Sequence, residues 1–277
     1  MGPKARKLLL TVAALAAAAS QFSCSSESGP QPGTPAFYWS SAKETFATND
    51  FVKTSQTLEK IVASENEYTA RAQAWLLVLT AGEIRGYMDL ADGLEAGVRA
   101  KKADPGGFRK TMSNSRSTAG RLSYQFAEAF MRFQKGKDDP VTLAFNYPSG
   151  NSSPVPELTR VSNGIPLQPT ELESAQRHAI ERAVLLETCR AVGAPDDTAK
   201  AADLFKSGEV KIPRSTFLAA MGNSLYEQAQ LYSSTKLDDP TKLKMFNTMA
   251  SDALKGVPET KQTKELNAKI QKAMLKK

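Results

Sequence analysis

Apolar residues recur at three- and four-residue spacing along most of the chain, the period of helices packed on one face. Thr34-Pro35 opens the first: threonine offers an N-cap oxygen, and proline fits the first helical position. Tyr38, Ala42 and Phe46 share one side of it, and it stops near Thr48-Asn49. Asp50 opens a second helix with Leu58, Ile61 and Val62 on its apolar side. The pattern predicts a third after Asn66, carrying Trp75 and Leu79 and ending around Gly82 to Gly86. A fourth is expected from Met88 to about Ala100, presenting Leu90, Ala91, Leu94 and Val98. Short connections between helices of this length imply antiparallel neighbours. Beyond Pro105-Gly106-Gly107 the stripe Met112, Ala119, Leu122, Phe126, Phe130 and Phe133 predicts the longest helix, about Phe108 to Lys135.

Residues 137–169 break the helical period. They hold Pro140, Pro148, Pro154, Pro156, Pro166 and Pro169, and Val141, Leu143, Phe145 and Tyr147 alternate at period two. An alternating apolar row suits an extended flap lying on an apolar surface, its backbone paired with itself around Pro148-Ser149-Gly150 or hydrogen-bonded by side chains. A segment this long between helices is usually functional or disordered, and the apolar row argues against disorder.

Helical spacing resumes at Thr170, which forms a capping-box pattern with Glu173. Leu172, Ala175, Ala179, Ala183 and Leu186 line one side of that helix, and Gly193 suits its C-terminal turn. A short helix is expected from about Asp197 to Lys206, another from Pro213 through Phe217, Met221 and Leu225, and another from Asp239-Pro240 with Phe246, Ala250 and Ala253. A Lys-rich last helix carries Leu266, Ile270 and Met274. No strand is expected outside the long segment. Residues 35–136 and 170–277 therefore read as one continuous all-α domain.

The first residues follow a different logic. Lys4, Arg6 and Lys7 precede the apolar run Leu8 to Ala19, and small and polar residues follow. That run has 12 residues, against roughly 20 needed to span a bilayer as a helix. A basic start, a short apolar stretch and small residues mark residues 1–23 as a cleaved export signal. Ala17 and Ala19 also offer an ordinary cleavage site after Ala19. Ser25, Ser26, Ser28, Gly29, Pro30, Pro32 and Gly33 then make a polar tether over residues 24–34.

Charge changes the picture only locally. The formal net charge is +7, but the signal holds three basic residues and no acid, and residues 255–277 hold seven Lys against two Glu. Residues 24–254 are left at −1. No Arg cluster or aromatic ladder accompanies the basic end, so nucleic acid is a poor partner.

The motif Gln21-Phe22-Ser23-Cys24 resembles the lipobox of bacterial lipoproteins, in which a small residue precedes the cysteine that becomes the lipidated N-terminus; Ser23 and Cys24 match it and Gln21 departs from it. The resemblance implies a lipid on Cys24 and a periplasm-facing position in the bacterial envelope, at the outer membrane. Cys189, the other cysteine, then has no partner, and its helical setting suits a small buried hydrophobe. Cleavage after Ala19 would leave the two free to pair in an oxidising compartment.

Residues 36–66 resemble a tetratricopeptide (TPR) repeat. Asn49-Asp50-Phe51 stands at the turn, Tyr38 and Ala42 in helix A, and Leu58 and Ile61 in helix B. Trp75, Gly86 at a turn and Ala91 repeat the pattern, as do Leu218, Met221-Gly222 and Leu225 with Phe246, Ala250, Ala253 and Pro258. The resemblance implies a TPR-like stack of antiparallel helical hairpins with one long extended insertion. It also implies a concave groove lined from helix A by Trp39, Lys43, Phe46, Gln73, Thr80, Glu83, Asn223 and Tyr226.

Catalytic signatures are sparse. His178 is the only histidine, and G-x-S-x-G and H-E-x-x-H motifs are missing. Two separated cysteines do not make a structural zinc site. Ser233-Ser234-Thr235-Lys236 matches S-x-x-K at a level expected by chance, and Asp196-Asp197 and Asp238-Asp239 stand where aspartates cap helices. The expected function is therefore a lipid-anchored scaffold, without cofactor, that binds another envelope protein or a small ligand. An accessory lipoprotein of solute uptake or outer-membrane assembly is a second reading. An anchored enzyme with its chemistry in residues 137–169 is a third, of another class.

Overall fold

The computed structural model describes residues 29–275; residues 1–23, expected to be an export signal, and Cys24 lie outside the described residues. Helix α1 (Pro35–Ala47) is capped by Thr34, whose side chain accepts from the Phe37 amide. The chain turns through Asn49 at φ +58°, and Asp50 caps α2 (Phe51–Val62) by accepting from the Lys53 amide. These two helices form the first antiparallel pair, as the turn chemistry predicts.

Helix α3 (Thr69–Lys101) departs from expectation. It runs unbroken for 33 residues, about 50 Å at 1.5 Å per residue, where two helices separated by a turn at Gly82–Gly86 were predicted. Those glycines thin one side of the helix instead. A Cβ on Gly82 would lie 2.7 Å from Val184 Cα, and one on Gly86 would lie 2.7 Å from Ile180 Cα. Hydrogen atoms at these two positions let the backbone of α3 and that of the helix carrying Ile180 and Val184 approach as no larger residue permits. The second hairpin of the TPR resemblance, with Gly86 at its turn, does not form.

Helix α4 (Phe108–Lys135) matches its predicted span, with Ala119, Leu122, Phe126, Phe130 and Phe133 buried. After it, residues 137–169 lie on the helices. Val141, Leu143 and Phe145 are buried, and the Phe145 ring lies between Trp39 and Trp75, at centroid distances of 4.9 and 5.3 Å. Each such buried side chain contributes about 1.5–3 kcal/mol, enough to offset part of the ordering entropy. The segment does not pair with itself. Strand β1 (Val141–Leu143) pairs antiparallel with β2 (Val210–Ile212), Val141 opposite Ile212. Only three residues long, β2 gave too little alternation to be read. A second unpredicted element, α5 (Pro156–Ser162), follows in the same segment.

Helix α6 (Pro169–Ala191) begins two residues earlier than predicted. Its capping box joins Gln168 and Glu171, not Thr170 and Glu173, because Pro169 takes the first helical position. It ends with Gly193 at φ +75°. Then come α7 (Thr198–Leu204), capped by Asp197, α8 (Arg214–Gln230), α9 (Pro240–Ala253), capped by Asp239, and α10 (Lys261–Leu275). Asp196 and Asp238 take the positive-φ turn positions just before those caps.

The fold is all-α, with α3 at its centre against α2, α4, α5, α6 and β1. One core cluster runs from Trp39 through Phe145 to Ile270, so the two helical halves share a core. Leu90, Leu94, Phe108 and Val161 form a smaller cluster under α5.

Candidate functional site

Helices α3, α6 and α8 bring charged side chains into the interior where they meet. Glu187 is only 1 % exposed. It accepts from Arg85 Nη1 at 2.9 Å, from Arg190 Nη1 at 2.9 and 3.0 Å, and from Ser224 Oγ at 2.8 Å. Arg190 continues to Glu227, donating at 2.8 and 3.0 Å. With the Asn223 amide turned so that its oxygen faces Arg190, that oxygen accepts from Nε at 3.1 Å. Burial works against the Arg190 charge, but Glu187 and Glu227 outweigh it and hold the guanidinium above the usual arginine range. A paired, hydrogen-bonded ladder of this kind is the form in which interior charge is tolerated.

The ladder stands between two clefts, and Arg85 lines both. The larger, about 680 Å³, opens between the C-terminal end of α6, α8 and α10. Its polar lining includes Arg190, Asn223, Ser215, Thr216, Thr263 and Lys269. The smaller, about 340 Å³, lies between α3 and α8 with Glu187 in its wall.

The eight residues of the expected groove do not converge. Trp39 and Phe46 are core aromatics; Trp39 stacks on Tyr68 at 5.4 Å, and Lys43 places its ammonium 5.7 Å from the Trp39 ring centre. Thr80 and Glu83 are buried within α3. Gln73 lines a separate hollow beside Arg132 and Lys135. Tyr226 packs half-buried on the core. Asn223 alone lines the larger cleft. The groove positions were carried over on a hairpin register that ends where α3 runs on through Gly86, so Thr80 and Glu83, meant for a concave surface, are buried against other helices.

Glu83 is the most perturbed acid of the set. Burial pushes its carboxyl up to about 7, opposed by its hydrogen-bonding neighbour Ser55, while Glu59 adds to the rise. Its Oε1 has no partner.

The other candidate groups are held apart from one another. His178 Nδ1 lies 3.2 Å from Glu157 on the surface. Cys189 is a free buried thiol 3.2 Å from the Tyr147 hydroxyl, and burial raises its pKa. Lys236 is engaged by Asp92 at 2.7 Å, while the Ser233 hydroxyl meets Thr235, so the S-x-x-K match forms no catalytic pair. Among the described residues, no group of three or more His, Cys, Asp or Glu is placed to hold a metal ion, and no helix is long and apolar enough to cross a membrane.

Sequence reading missed Arg85, Glu187, Arg190, Glu227 and Gln228. One signal was present: Glu187 interrupts the apolar run Ala183-Val184-Leu185-Leu186, with Arg190 three residues on. An acid inside the most apolar stretch of a helix needs an interior partner. Comparison with protein-family models, with curated proteins and with solved structures finds no match for the chain.

Proposed function

We propose that the chain is a lipid-anchored, periplasm-facing binding scaffold of the bacterial envelope, anchored through Cys24, whose larger cleft takes a partner protein segment or a small ligand. The observation that carries the reading is the cleft of about 680 Å³ between α6, α8 and α10. It falls within the range of about 300–1,000 Å³ common to ligand sites. Its hydroxyl and amide groups, Ser215, Thr216, Asn223 and Thr263, offer directional hydrogen bonds. Arg190 is held by Glu187 and Glu227, which favours a rigid recognition surface over a group free to transfer protons. Helix α10 forms one wall and is anchored by Leu266 and Ile270.

Site-specific photo-crosslinking in native membranes tests this. A benzophenone residue at Thr216, inside the cleft, is expected to give a discrete adduct that one at exposed Glu128 does not. Equal labelling from both positions, or none from Thr216, overturns the assignment of the cleft.

A further inference from the structure

The smaller cleft carries a chemistry of its own. One face of α3 supplies Ala81, Ile84, Arg85, Met88, Asp89 and Asp92, and α8 supplies Ser224, Glu227 and Gln228 from the other side. Four carboxylates reach this cleft, and three are well satisfied. Glu187 accepts from Arg85, Arg190 and Ser224; Glu227 is held by Arg190; Asp92 is held by Lys236 at 2.7 and 2.9 Å. The fourth, Asp89, has only a 3.5 Å contact to Arg182, whose shorter bond, 3.0 Å, goes to the Ser152 carbonyl.

Opposite stands Gln228, 2 % exposed, with neither its amide oxygen nor its amide nitrogen partnered. A buried amide left unpaired is destabilising and calls for an occupant that completes it. The cleft therefore presents one under-coordinated anion, one acceptor and one donor, beside the apolar side chains of Ile84 and Met88.

We propose that this cleft binds a small aliphatic ammonium compound, its ammonium donating to Asp89 and to the Gln228 amide oxygen, its carbon stem lying along Ile84 and Met88. An acceptor atom on the same molecule takes the Gln228 amide N–H. Both cations of the lining, Arg85 and Lys236, are already tied to carboxylates, so an anionic ligand finds no free partner. A bare metal ion is a poorer fit, since three of the four carboxylates are already tied to cations and, among the described residues, no three His, Cys, Asp or Glu are placed to share a metal ion. Burial raises the Asp89 carboxyl against the pull of Arg85 and Arg182; an ammonium beside it would draw it back down.

The inference deepens the ligand-binding part of the proposed function, but its test does not involve membranes, anchoring or a partner. The purified protein is titrated calorimetrically at pH 7.5 with ethanolamine and propanolamine, whose hydroxyl supplies the acceptor, with glutarate and calcium as controls. Saturable one-site binding of an amine is expected. Asp89→Asn should weaken it about tenfold or more, the loss of one charge-assisted hydrogen bond. Gln228→Leu should weaken the amine while raising the melting temperature, because it removes two unpartnered polar atoms. A merely structural glutamine would not separate the two readouts in that direction. No saturable amine binding (water alone filling the cleft), preferential binding of glutarate or calcium, or unchanged amine affinity in both variants overturns the proposal. A crosslink at Thr216 with no amine binding would leave the scaffold reading standing and remove this one.

Discussion

Arg85 on α3 donates to Glu187 on α6 at 2.9 Å, joining two helices that are also brought close by Gly82, about one turn before it, and by Gly86 beside it. The ion pair and the glycine contact thus lie on the same seam. One fixes the spacing of the helices and the other places charge within it.

Glu187 is the keystone of that pairing. Removing it leaves Arg85 and Arg190 short of a counter-charge in the interior. Breaking a buried pair by deleting one partner is destabilising by about 3–5 kcal/mol. Glu187→Ala is expected to fall in that range by urea unfolding. Arg85→Ala should cost less, because Arg190 and Ser224 still satisfy Glu187. Equal losses in the two variants would contradict the hierarchy.

Glu83 sets a pH dependence. Its folded pKa, about 7, lies above the ordinary 4.5, so the folded state holds the proton more tightly than the unfolded chain. Stability contributed this way is complete below about pH 4.5 and is lost as pH rises toward 7. The loss amounts to about 3 kcal/mol. Glu83→Gln is expected to be nearly neutral at pH 4.5 and stabilising by up to about 3 kcal/mol at pH 8. A variant whose unfolding midpoint parallels wild type at both pH values would refute it.

Gly82 reverses a common rule. In an exposed helix interior, glycine to alanine gains about 1 kcal/mol. Here the added methyl meets the Val184 backbone at 2.7 Å, and overpacking typically destabilises by about 1–3 kcal/mol. Gly82→Ala should therefore lower the urea midpoint, and Val184→Ala in the same chain should not restore it, because the clash involves main-chain atoms. Restoration by the second substitution would place the conflict in the side chain instead.

The anchor is tested by metabolic labelling with a clickable fatty acid. Wild type should be marked and Cys24→Ala should not. An unlabelled mature protein beginning at Ser20 or Gln21 would point to ordinary cleavage after Ala19. Reductant should leave the melting temperature unchanged, since Cys189 is buried as a free thiol.

Helix caps and apolar stripes were legible because they are local. Thr34, Asp50, Asp197 and Asp239 cap helices as their positions predicted, each accepting from an amide of the first turn, and the buried stripe of α4 was plain in its spacing. The errors fall where a residue's meaning depends on a distant partner. Gly82 and Gly86 look like punctuation until α6 is laid against them. Val210–Ile212 is too short to announce itself and is a strand only because Val141–Leu143 lies beside it. The clefts were invisible for the same reason: the smaller has walls from helices more than a hundred residues apart in sequence, and the larger is closed by three separate helices of the C-terminal half with Arg85 from α3.

The small sheet also bears on the order in which the chain can be completed. A polypeptide emerges from its N-terminal end, so Val141 and Leu143 are made long before Val210 and Ile212. Until the later strand arrives, the earlier one shows an unpaired edge, which invites association with other chains. Phe205, which packs on Trp75 at 6.3 Å, arrives late as well. A nascent chain halted after α6 thus has its aromatic interior unsealed and its strand edge bare. Protection of that edge must come from outside the fragment until Val210–Ile212 has followed and can pair with it.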